Sequence, residues 1–298
     1  MTSTNSAETS RLDLYVEQYG EGPDVLLIGG LGDPIESWQY QIDGLSDRYR
    51  ITAFDNRGMG RSPLPDGPLT IPSMADDAAD VLRSLDIGST HVAGFSGGSV
   101  IAQELALRHP DLVRSLVLMS AWARPDNYWH ALTRSWRWMV ESAPDERTFL
   151  ESFFVWVYTH RAHEDGTVAR IIEETLEFPH NAGVEAIQRT IDALAVHETA
   201  DRLHLVSVPT LVLAGGADLI TPPMYGRQVA DLIPGARFEM MPGEAHQPFQ
   251  EVPEVFNARV DAFWREVDQR VAGATTAPPA RAMALPALAT GADSPRHR

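Results

Sequence analysis

The sequence contains no cysteine and no lysine, since all 24 of its basic residues are arginine. The absence of cysteine excludes disulfides, iron–sulfur clusters, cysteine-ligated zinc and a thiol nucleophile. The absence of lysine excludes enzymes that depend on a Schiff base, a pyridoxal-phosphate lysine or a Walker A lysine. Positive charge is scarce, because 41 acidic residues give a formal net charge of −17. Nucleic acid and membrane surfaces are therefore not expected as partners, because both select for basic patches.

Long hydrophobic runs are absent as well. No stretch of about 18 apolar residues occurs, and residues 1–10 lack the charged start and apolar run of a secretory signal. We therefore expect a cytoplasmic protein. We also expect residues 1–10 to be a disordered N-terminus and residues 272–298 to be a disordered Ala/Pro-rich tail.

Short apolar runs recur along the chain and indicate buried strands. They lie at residues 24–28, 50–54, 90–93, 115–119, 210–213 and 237–240. Helical periodicities separate them, including one over residues 73–85 that begins with a Ser-x-x-Asp capping box. Another predicted helix follows Thr221 as its N-cap and Pro222 as its first residue. Strands that alternate with helices predict an α/β fold with a mostly parallel central sheet covered by helices on both faces.

One region interrupts this alternation. Residues 121–204 show helical periodicities but no strand pattern, so we expect a helical cap inserted into an α/β core of residues 11–120 and 205–271. Ten of the aromatic residues of the chain fall between positions 121 and 160. Most of them are expected to bury the cap against the core. Trp122, which is nearest to the sheet, is predicted to line an apolar substrate pocket.

A serine follows the strand at residues 90–93. It lies in the sequence Gly94-Phe95-Ser96-Gly97-Gly98, and a helical stretch comes next. A strand, a sharp turn and a helix form the Gly-x-Ser-x-Gly nucleophile elbow, which exposes the serine hydroxyl and directs backbone N–H groups at developing negative charge. Ser96 is therefore the predicted nucleophile. The alternative is an ordinary glycine-rich strand-to-helix turn with a solvated serine.

A serine nucleophile needs a base and a carboxylate that orients the base. Asp218 and His246 each follow a late strand, in the chain order serine, acid, histidine that is typical of this kind of sheet. Because the carboxyl ends of parallel strands share one edge, the three side chains are expected to meet there. Asp126 is a rival carboxylate, and Asp218 has a second interpretation as a cap of the helix at Thr221.

Four motifs resemble those of the α/β-hydrolase fold, specifically its cap-bearing esterases, lactonases and enol-lactonases. The motifs are Gly29-Gly30-Leu31-Gly32, residues 55–62 (DNRGMGRS), the Ser96 elbow, and Gly-x-x-Asp218 together with His246-x-Pro248. The resemblance implies that Ser96 is the nucleophile, His246 the general base and Asp218 its orienting acid. It also implies an oxyanion hole formed by the N–H groups of Gly97 and Leu31.

The sequence departs from this family's pattern at two positions. Gly29-Gly30 stands where the family usually has His-Gly, and a side chain that helps to hold the loop of Leu31 is thereby lost. Gly97 stands where relatives often carry Met, Leu or Trp, which predicts extra room beside the nucleophile or a more mobile elbow. Asp55 and Arg57 are interpreted as structural residues, whose charges hold a loop that frames the site.

The implied reaction is hydrolysis of a carboxylic ester or lactone of a small apolar or aromatic compound through an acyl-enzyme on Ser96. The expected partner is a small-molecule substrate, and no metal or organic cofactor is required. The same triad also suits an acyltransferase, thioesterase, cyclase or C–C hydrolase that acts on a biosynthetic intermediate. A non-catalytic small-molecule receptor of the same fold is a further alternative. The sequence carries no signal for the oligomeric state.

Overall fold

The computed structural model describes residues 13–276, and the side chains of residues 13–272. The strands in this range are β1 (Val16–Tyr19), β2 (Asp24–Ile28), β3 (Arg50–Phe54), β4 (Thr90–Phe95), β5 (Val113–Met119), β6 (Thr210–Gly215) and β7 (Arg237–Met241). They form one sheet in the order β1-β3-β2-β4-β5-β6-β7. Only the pairing of β1 with β3 is antiparallel among these strands. The predicted α/β class with a mostly parallel sheet is confirmed.

Helices cover both faces of the sheet and continue between β5 and β6. They are α1 (Gln39–Leu45), α2 (Ile71–Ser84), α3 (Gly97–Arg108), α4 (Asn127–Ser142), α5 (Glu146–Val157), α6 (His160–Glu164), α7 (Thr167–Glu177), α8 (Val184–Val196), α9 (Pro223–Leu232), α10 (Pro248–Glu251) and α11 (Pro253–Thr276). Short 3-10 turns lie at Ile35–Trp38, Pro110–Leu112 and Leu203–Leu205. In the part of the chain that the structure describes, no helix is both long and apolar enough to cross a membrane.

The sheet separates two apolar clusters. Leu26 and Ile28 of β2 belong to the cluster that includes residues of α2, α3 and α9, whereas Val25 and Leu27 belong to the cluster formed with α1 and α11. Successive side chains of a strand point to opposite faces, so a strand covered on both sides is apolar throughout. This is the reason why the central strands could be predicted from short apolar runs.

The edge strand β1 was not predicted. It has four residues, of which Gln18 is exposed and the other three are half-buried, so it lacks the continuous apolar run of a central strand. Two helix starts also differ from the prediction. Thr70, rather than Ser73, caps α2 by accepting the N–H of Ser73. α9 begins at Pro223 with Pro222 at its N-cap, and the Thr221 hydroxyl donates to Asp218.

The five helices α4–α8 lie between β5 and β6, and we refer to them as the cap. α4 packs on α8, and α5 packs on α7. Trp129 is fully buried in the cap, where its indole N–H donates to the carbonyl of Leu194 at 3.1 Å. At the other end of the chain, α11 continues to Thr276, so the start of the predicted tail is helical. The remainder of that tail and residues 1–10 lie outside the described residues.

Candidate active site

Ser96 lies in a sharp turn between β4 and α3. Its backbone has φ 50° and ψ −116°, a conformation that residues with a Cβ rarely adopt. Two glycines permit this turn. A Cβ on Gly94 would lie 2.3 Å from the carbonyl oxygen of Gly98, and one on Gly98 would lie 2.0 Å from the carbonyl oxygen of Ile28. The two flanking glycines of the motif are therefore required by the close approach of neighbouring backbone.

His246 lies within hydrogen-bonding distance of both Ser96 and Asp218. His246 Nε2 is 3.0 Å from Ser96 Oγ, and His246 Nδ1 is 2.8 Å from Asp218 Oδ2. Asp218 Oδ1 accepts the N–H groups of Ile220 at 2.8 Å and Thr221 at 2.9 Å, and the Thr221 hydroxyl donates to Oδ2. A carboxylate held in this way fixes the imidazole ring with a proton on Nδ1, which leaves Nε2 to accept the serine proton.

The rival carboxylate has another role. Asp126 caps α4 by accepting the N–H of Trp129 at 2.9 Å, and it also accepts the hydroxyl of Tyr225 at 2.6 Å. These hydrogen bonds lower the pKa of Asp126 against the opposing effect of its burial. The structure therefore brings Asp218, and not Asp126, to the histidine.

The loop of Leu31 runs beside the nucleophile. A Cβ on Gly97 would lie 3.6 Å from the backbone nitrogen of Leu31, and one on Gly30 would lie 3.2 Å from the Cβ of Ser96. Gly97 is the first residue of α3, so its N–H has no partner within the helix and lies at the positive end of the helix dipole. Two backbone N–H groups next to the serine are the arrangement that an oxyanion hole requires.

The space beside Gly97 is filled by the cap. Leu194 of α8 places its two methyl carbons 3.4 and 3.6 Å from the position of a Cβ on Gly97, and Ile187 of the same helix lies 3.5 Å from a Cβ on Gly32. The extra room that the sequence predicted is therefore occupied by Leu194. Apolar side chains of α8 therefore pack against both the elbow and the loop of Leu31.

Charged residues of the loop after β3 hold neighbouring segments of the chain in place. Asp55 Oδ1 accepts the N–H of Ile35, and Asp55 Oδ2 accepts the N–H of Arg61, both at 2.8 Å. Arg57 makes a bidentate contact with Asp77 on α2 at 2.6 and 2.7 Å. Asp55 and Arg57 thus make the structural contacts expected of them.

A cavity of about 960 Å³ lies between the loop of Leu31 and the cap. Most of its wall is apolar and comes from Leu31, Val140, Phe149, Leu150, Phe153, Phe154, Ile171, Phe178 and Ile187. Its polar residues include Asp33, Ser37, Tyr158, Gln247 and Gln250, together with the charged residues Glu36, Asp145, Glu146, Arg170 and Glu174. Gln247 follows His246 in the chain, and the loop of Leu31 runs beside Ser96. One end of the cavity therefore lies next to these residues.

Trp122 does not line this cavity. Its side chain is 1% exposed and packs on Trp129 with the ring centroids 4.1 Å apart. The aromatic wall comes instead from one face of α5, at Phe149, Phe153 and Phe154. Trp122 follows β5 closely in sequence and is therefore buried beneath the cap. The prediction that it lines the pocket is wrong.

Asp33 is a residue of the site that sequence reasoning missed. Its Oδ2 accepts the N–H of Gly30 at 2.9 Å, and its Oδ1 accepts the hydroxyl of Ser37 at 3.1 Å. Burial raises the pKa of Asp33 to about 6, although these two hydrogen bonds and the nearby His246 act in the opposite direction. The sequence did carry a signal for this residue. Gly29 replaces the histidine that usually helps to hold the loop, and Asp33 supplies the side chain that holds it instead.

The sequence and the fold of the chain are similar to those of known proteins. The family model for the alpha/beta hydrolase fold matches residues 23–252. A putative carbamate hydrolase RutD from Azorhizobium caulinodans is 33% identical over 261 residues, which is 86% of this chain and 97% of the relative. A thermophilic esterase from Thermogutta terrifontis has a TM-score of 0.78 and 28% identity, over 88% of this chain and 96% of the esterase. The enol-lactonase from Burkholderia xenovorans LB400 also has a TM-score of 0.78, at 24% identity over 85% and 97% of the chains, and supports the fold alone.

Proposed function

The chain belongs to the α/β-hydrolase fold family, and we propose on this basis that it is a serine hydrolase that cleaves a carboxylic ester or lactone. The observation that supports this most strongly is the continuous relay from Asp218 through His246 to Ser96, with contacts of 2.8 and 3.0 Å. The relay ends beside the N–H groups of Gly97 and Leu31. A nucleophile, its base and an oxyanion hole are the three components that acyl transfer needs.

In the proposed reaction, Ser96 Oγ attacks the acyl carbonyl while His246 Nε2 takes the hydroxyl proton. Asp218 stabilises the imidazolium that results, and the N–H groups of Gly97 and Leu31 bind the oxyanion of the tetrahedral intermediate. Collapse of this intermediate breaks the bond to the alcohol, which receives the proton from His246. Water then attacks the acyl-enzyme by the reverse sequence of proton transfers and releases the acid.

The cavity supports a small, largely apolar or aromatic substrate. Its volume of about 960 Å³ is within the usual range of small-molecule sites, and Phe149, Phe153 and Phe154 supply flat apolar surface. The name of the RutD relatives adds carbamates to the acyl compounds that should be tested. Hydrolysis of a carbamate uses the same nucleophile and oxyanion hole, so it requires no further residues.

Labelling with a fluorophosphonate probe tests the nucleophile directly. The wild-type protein should be labelled and should hydrolyse activated esters, with turnover about 10⁶-fold lower in Ser96→Ala. Ser135→Ala is the matched control, because Ser135 is an exposed serine of the cap and its loss should change neither readout. A panel of p-nitrophenyl esters, lactones and aryl carbamates then ranks the substrates.

Three results would contradict the proposal. Labelling that persists in Ser96→Ala would place the reactive nucleophile elsewhere. Tight binding of a small molecule by a wild-type protein that neither reacts with the probe nor turns over any acyl compound would favour a receptor of the same fold. Transfer of the acyl group to an added alcohol or thiol in preference to water would favour an acyltransferase.

A further inference from the structure

We propose that Asp33 is a specificity-determining residue, whose carboxylate selects substrates with a positively charged group near the scissile carbonyl and disfavours substrates with a carboxylate there. This inference rests on the proposed acyl-transfer function, because it concerns the substrate of the same site. It adds a charge preference to a cavity whose wall is otherwise mostly apolar.

The position of Asp33 is the first argument. A single methyl group on Gly30 would lie 3.0 Å from Asp33 Oδ2 and 3.2 Å from the Cβ of Ser96. The carboxylate and the nucleophile therefore flank the same small gap. Asp33 also lines the cavity, so a substrate whose carbonyl is held at Ser96 has its neighbouring atoms close to this carboxylate.

The charge of Asp33 is not balanced by an arginine. Its hydrogen-bond donors are the neutral groups of Gly30 and Ser37, and no salt bridge to Asp33 occurs among residues 13–272. Of the other acidic residues of the cavity wall, Asp145 and Glu146 are exposed to solvent and two are paired with arginine. Glu36 contacts Arg61, and Glu174 contacts Arg170 at 2.9 Å. Asp33 is thus a carboxylate close to the nucleophile for which a bound substrate can supply the counter-charge.

A polar network holds Asp33 in this orientation. The carbonyl of Ser37 accepts from Gln250 Nε2 at 3.1 Å, and the hydroxyl of Tyr158 lies 2.6 Å from Gln250 Oε1 and 2.7 Å from Gln247 Oε1. The loop that carries Asp33 is therefore tied to the residues that follow His246. A carboxylate has about four acceptor positions, and only two are used within the protein. The others remain to bind an ammonium group or another donor.

The apolar part of the cavity wall indicates the remaining features of the substrate. The apolar part of the wall beyond Asp33 comes from α5, from Ile171 of α7, and from Val184 and Ile187 of α8. A matching substrate combines an amine or quaternary ammonium group near the acyl carbonyl with an apolar chain or ring further away. Monoesters of dicarboxylic acids place a second negative charge beside Asp33 and are expected to be poor substrates.

The test uses matched esters that differ in charge. Butyrylthiocholine, its neutral tert-butyl isostere and a carboxylate analogue vary the alcohol side, and p-nitrophenyl esters with the same three groups vary the acyl side. Thiol release can be followed with a thiol-reactive dye, since the protein has no cysteine. At pH 8 we expect the kcat/KM of a cationic ester to exceed that of its neutral isostere by about tenfold in at least one series, as Coulomb attraction at short range in a partly hydrated site suggests.

Asp33→Asn is the decisive variant. It removes the charge and keeps an oxygen that accepts the N–H of Gly30, so the ratio of cationic to neutral substrate should fall to about one. Ser37→Ala removes a neighbouring hydrogen bond but keeps the charge, and Glu146→Gln removes an exposed charge elsewhere on the cavity wall. Both controls should retain the wild-type ratio.

Dissociation constants separate this inference from the proposed function. They are measured by calorimetry with the same ligands on Ser96→Ala and on the double variant with Asp33→Asn. A cationic preference that disappears in the double variant supports the role of Asp33. This holds even if no ester is turned over, since an absence of turnover would overturn only the proposed hydrolase function. Equal affinities for the three charges, or a cationic preference that survives Asp33→Asn, would overturn the role of Asp33 even in an active esterase.

Discussion

The backbone carbonyl of Val157 accepts a hydrogen bond from the backbone N–H of His246 at 3.0 Å. Val157 is the last residue of α5, where the carbonyls of a helix have no partner within it. The next two residues make similar contacts. The hydroxyl of Tyr158 donates to Gln247, and the N–H of Thr159 donates to Glu251 at 3.2 Å. The cap therefore holds the loop that carries the triad histidine, and changes at this junction should affect catalysis.

Tyr158→Phe tests this coupling. The change removes the hydroxyl between Gln247 and Gln250 and should cost about 1–2 kcal/mol in the free energy of unfolding, because polar groups are left without a partner in a largely buried site. We also expect kcat to fall about tenfold as His246 becomes less well positioned. Urea unfolding and steady-state kinetics provide the two values. Trp138→Phe, at an aromatic residue of the cap that is 66% exposed, should change stability by less than about 0.5 kcal/mol. Equal kcat in Tyr158→Phe and the wild type would show that the junction is not coupled to the triad.

Asp218→Asn should leave the protein folded and lower kcat about 10⁴-fold, because an amide favours the wrong tautomer of His246. Activity on a p-nitrophenyl ester is the measurement, with circular dichroism as the check on folding. Asp126→Asn is the matched control, since this carboxylate caps α4 and does not contact the histidine. A loss of less than tenfold in Asp218→Asn would remove Asp218 from the proposed triad.

Neighbouring glycines of the elbow should respond differently to alanine. Gly97→Ala places a methyl group in ordinary contact with Leu194, at 3.4 Å, and should keep kcat within about threefold. Gly98→Ala places a methyl group 2.0 Å from the carbonyl oxygen of Ile28, so it should destabilise the protein by about 3 kcal/mol. Thermal unfolding of both variants tests the difference. Similar melting temperatures for the two would contradict the packing described for the elbow.

Glu104 should make the free energy of unfolding depend on pH in the acidic range. Burial raises its pKa, but hydrogen bonds from His197 and Arg202 have the larger combined effect and lower the pKa from 4.5 to about 2. A depressed folded-state pKa contributes stability above about pH 4.5 that is lost as the pH falls towards 2. Glu104→Gln should therefore cost about 2 kcal/mol at pH 7 and progressively less below pH 4.5. A cost in urea unfolding that is the same at pH 7 and pH 4 would contradict this assignment.

Asp33 should have the opposite effect on stability. Its pKa is raised from 3.8 to about 6, so the folded state favours the protonated carboxyl, and stability is lost as the pH rises through this range. Asp33→Asn removes this cost and should stabilise the protein at pH 8 by about 1 kcal/mol, a modest value because the half-buried carboxylate is partly screened. Near pH 4 the advantage should disappear. Melting temperatures at both pH values provide the test, and a variant less stable than the wild type at pH 8 would indicate that the carboxylate mainly serves structure.

The elements that the sequence predicted correctly are those whose signal is local. Six strands of the sheet were visible as short apolar runs, and the central strands are largely apolar because they are buried on both faces. The edge strand β7 was visible from Phe238, Met240 and Met241, although it is only partly buried. The order of Ser96, Asp218 and His246 along the chain was visible too, since each follows a strand in a loop. β1 was missed because a half-buried edge strand has no such run. Thr70 was missed as a cap because Ser73, three residues later, has the same capping chemistry.

The sequence by itself determined the class of fold, the three residues of the proposed triad and the glycines that the elbow requires, because each depends on a few neighbouring residues. Only the tertiary structure decided which side chains surround these groups. It buried Trp122, placed Leu194 beside Gly97, joined Val157 to His246 and brought Asp33 to the nucleophile. These contacts connect segments that are up to about a hundred residues apart, and no periodicity or spacing encodes them. The contact of Asp33 follows from the pairing of β2 with β4. The others follow from how the cap packs on the sheet, which depends on all of its apolar surface at once.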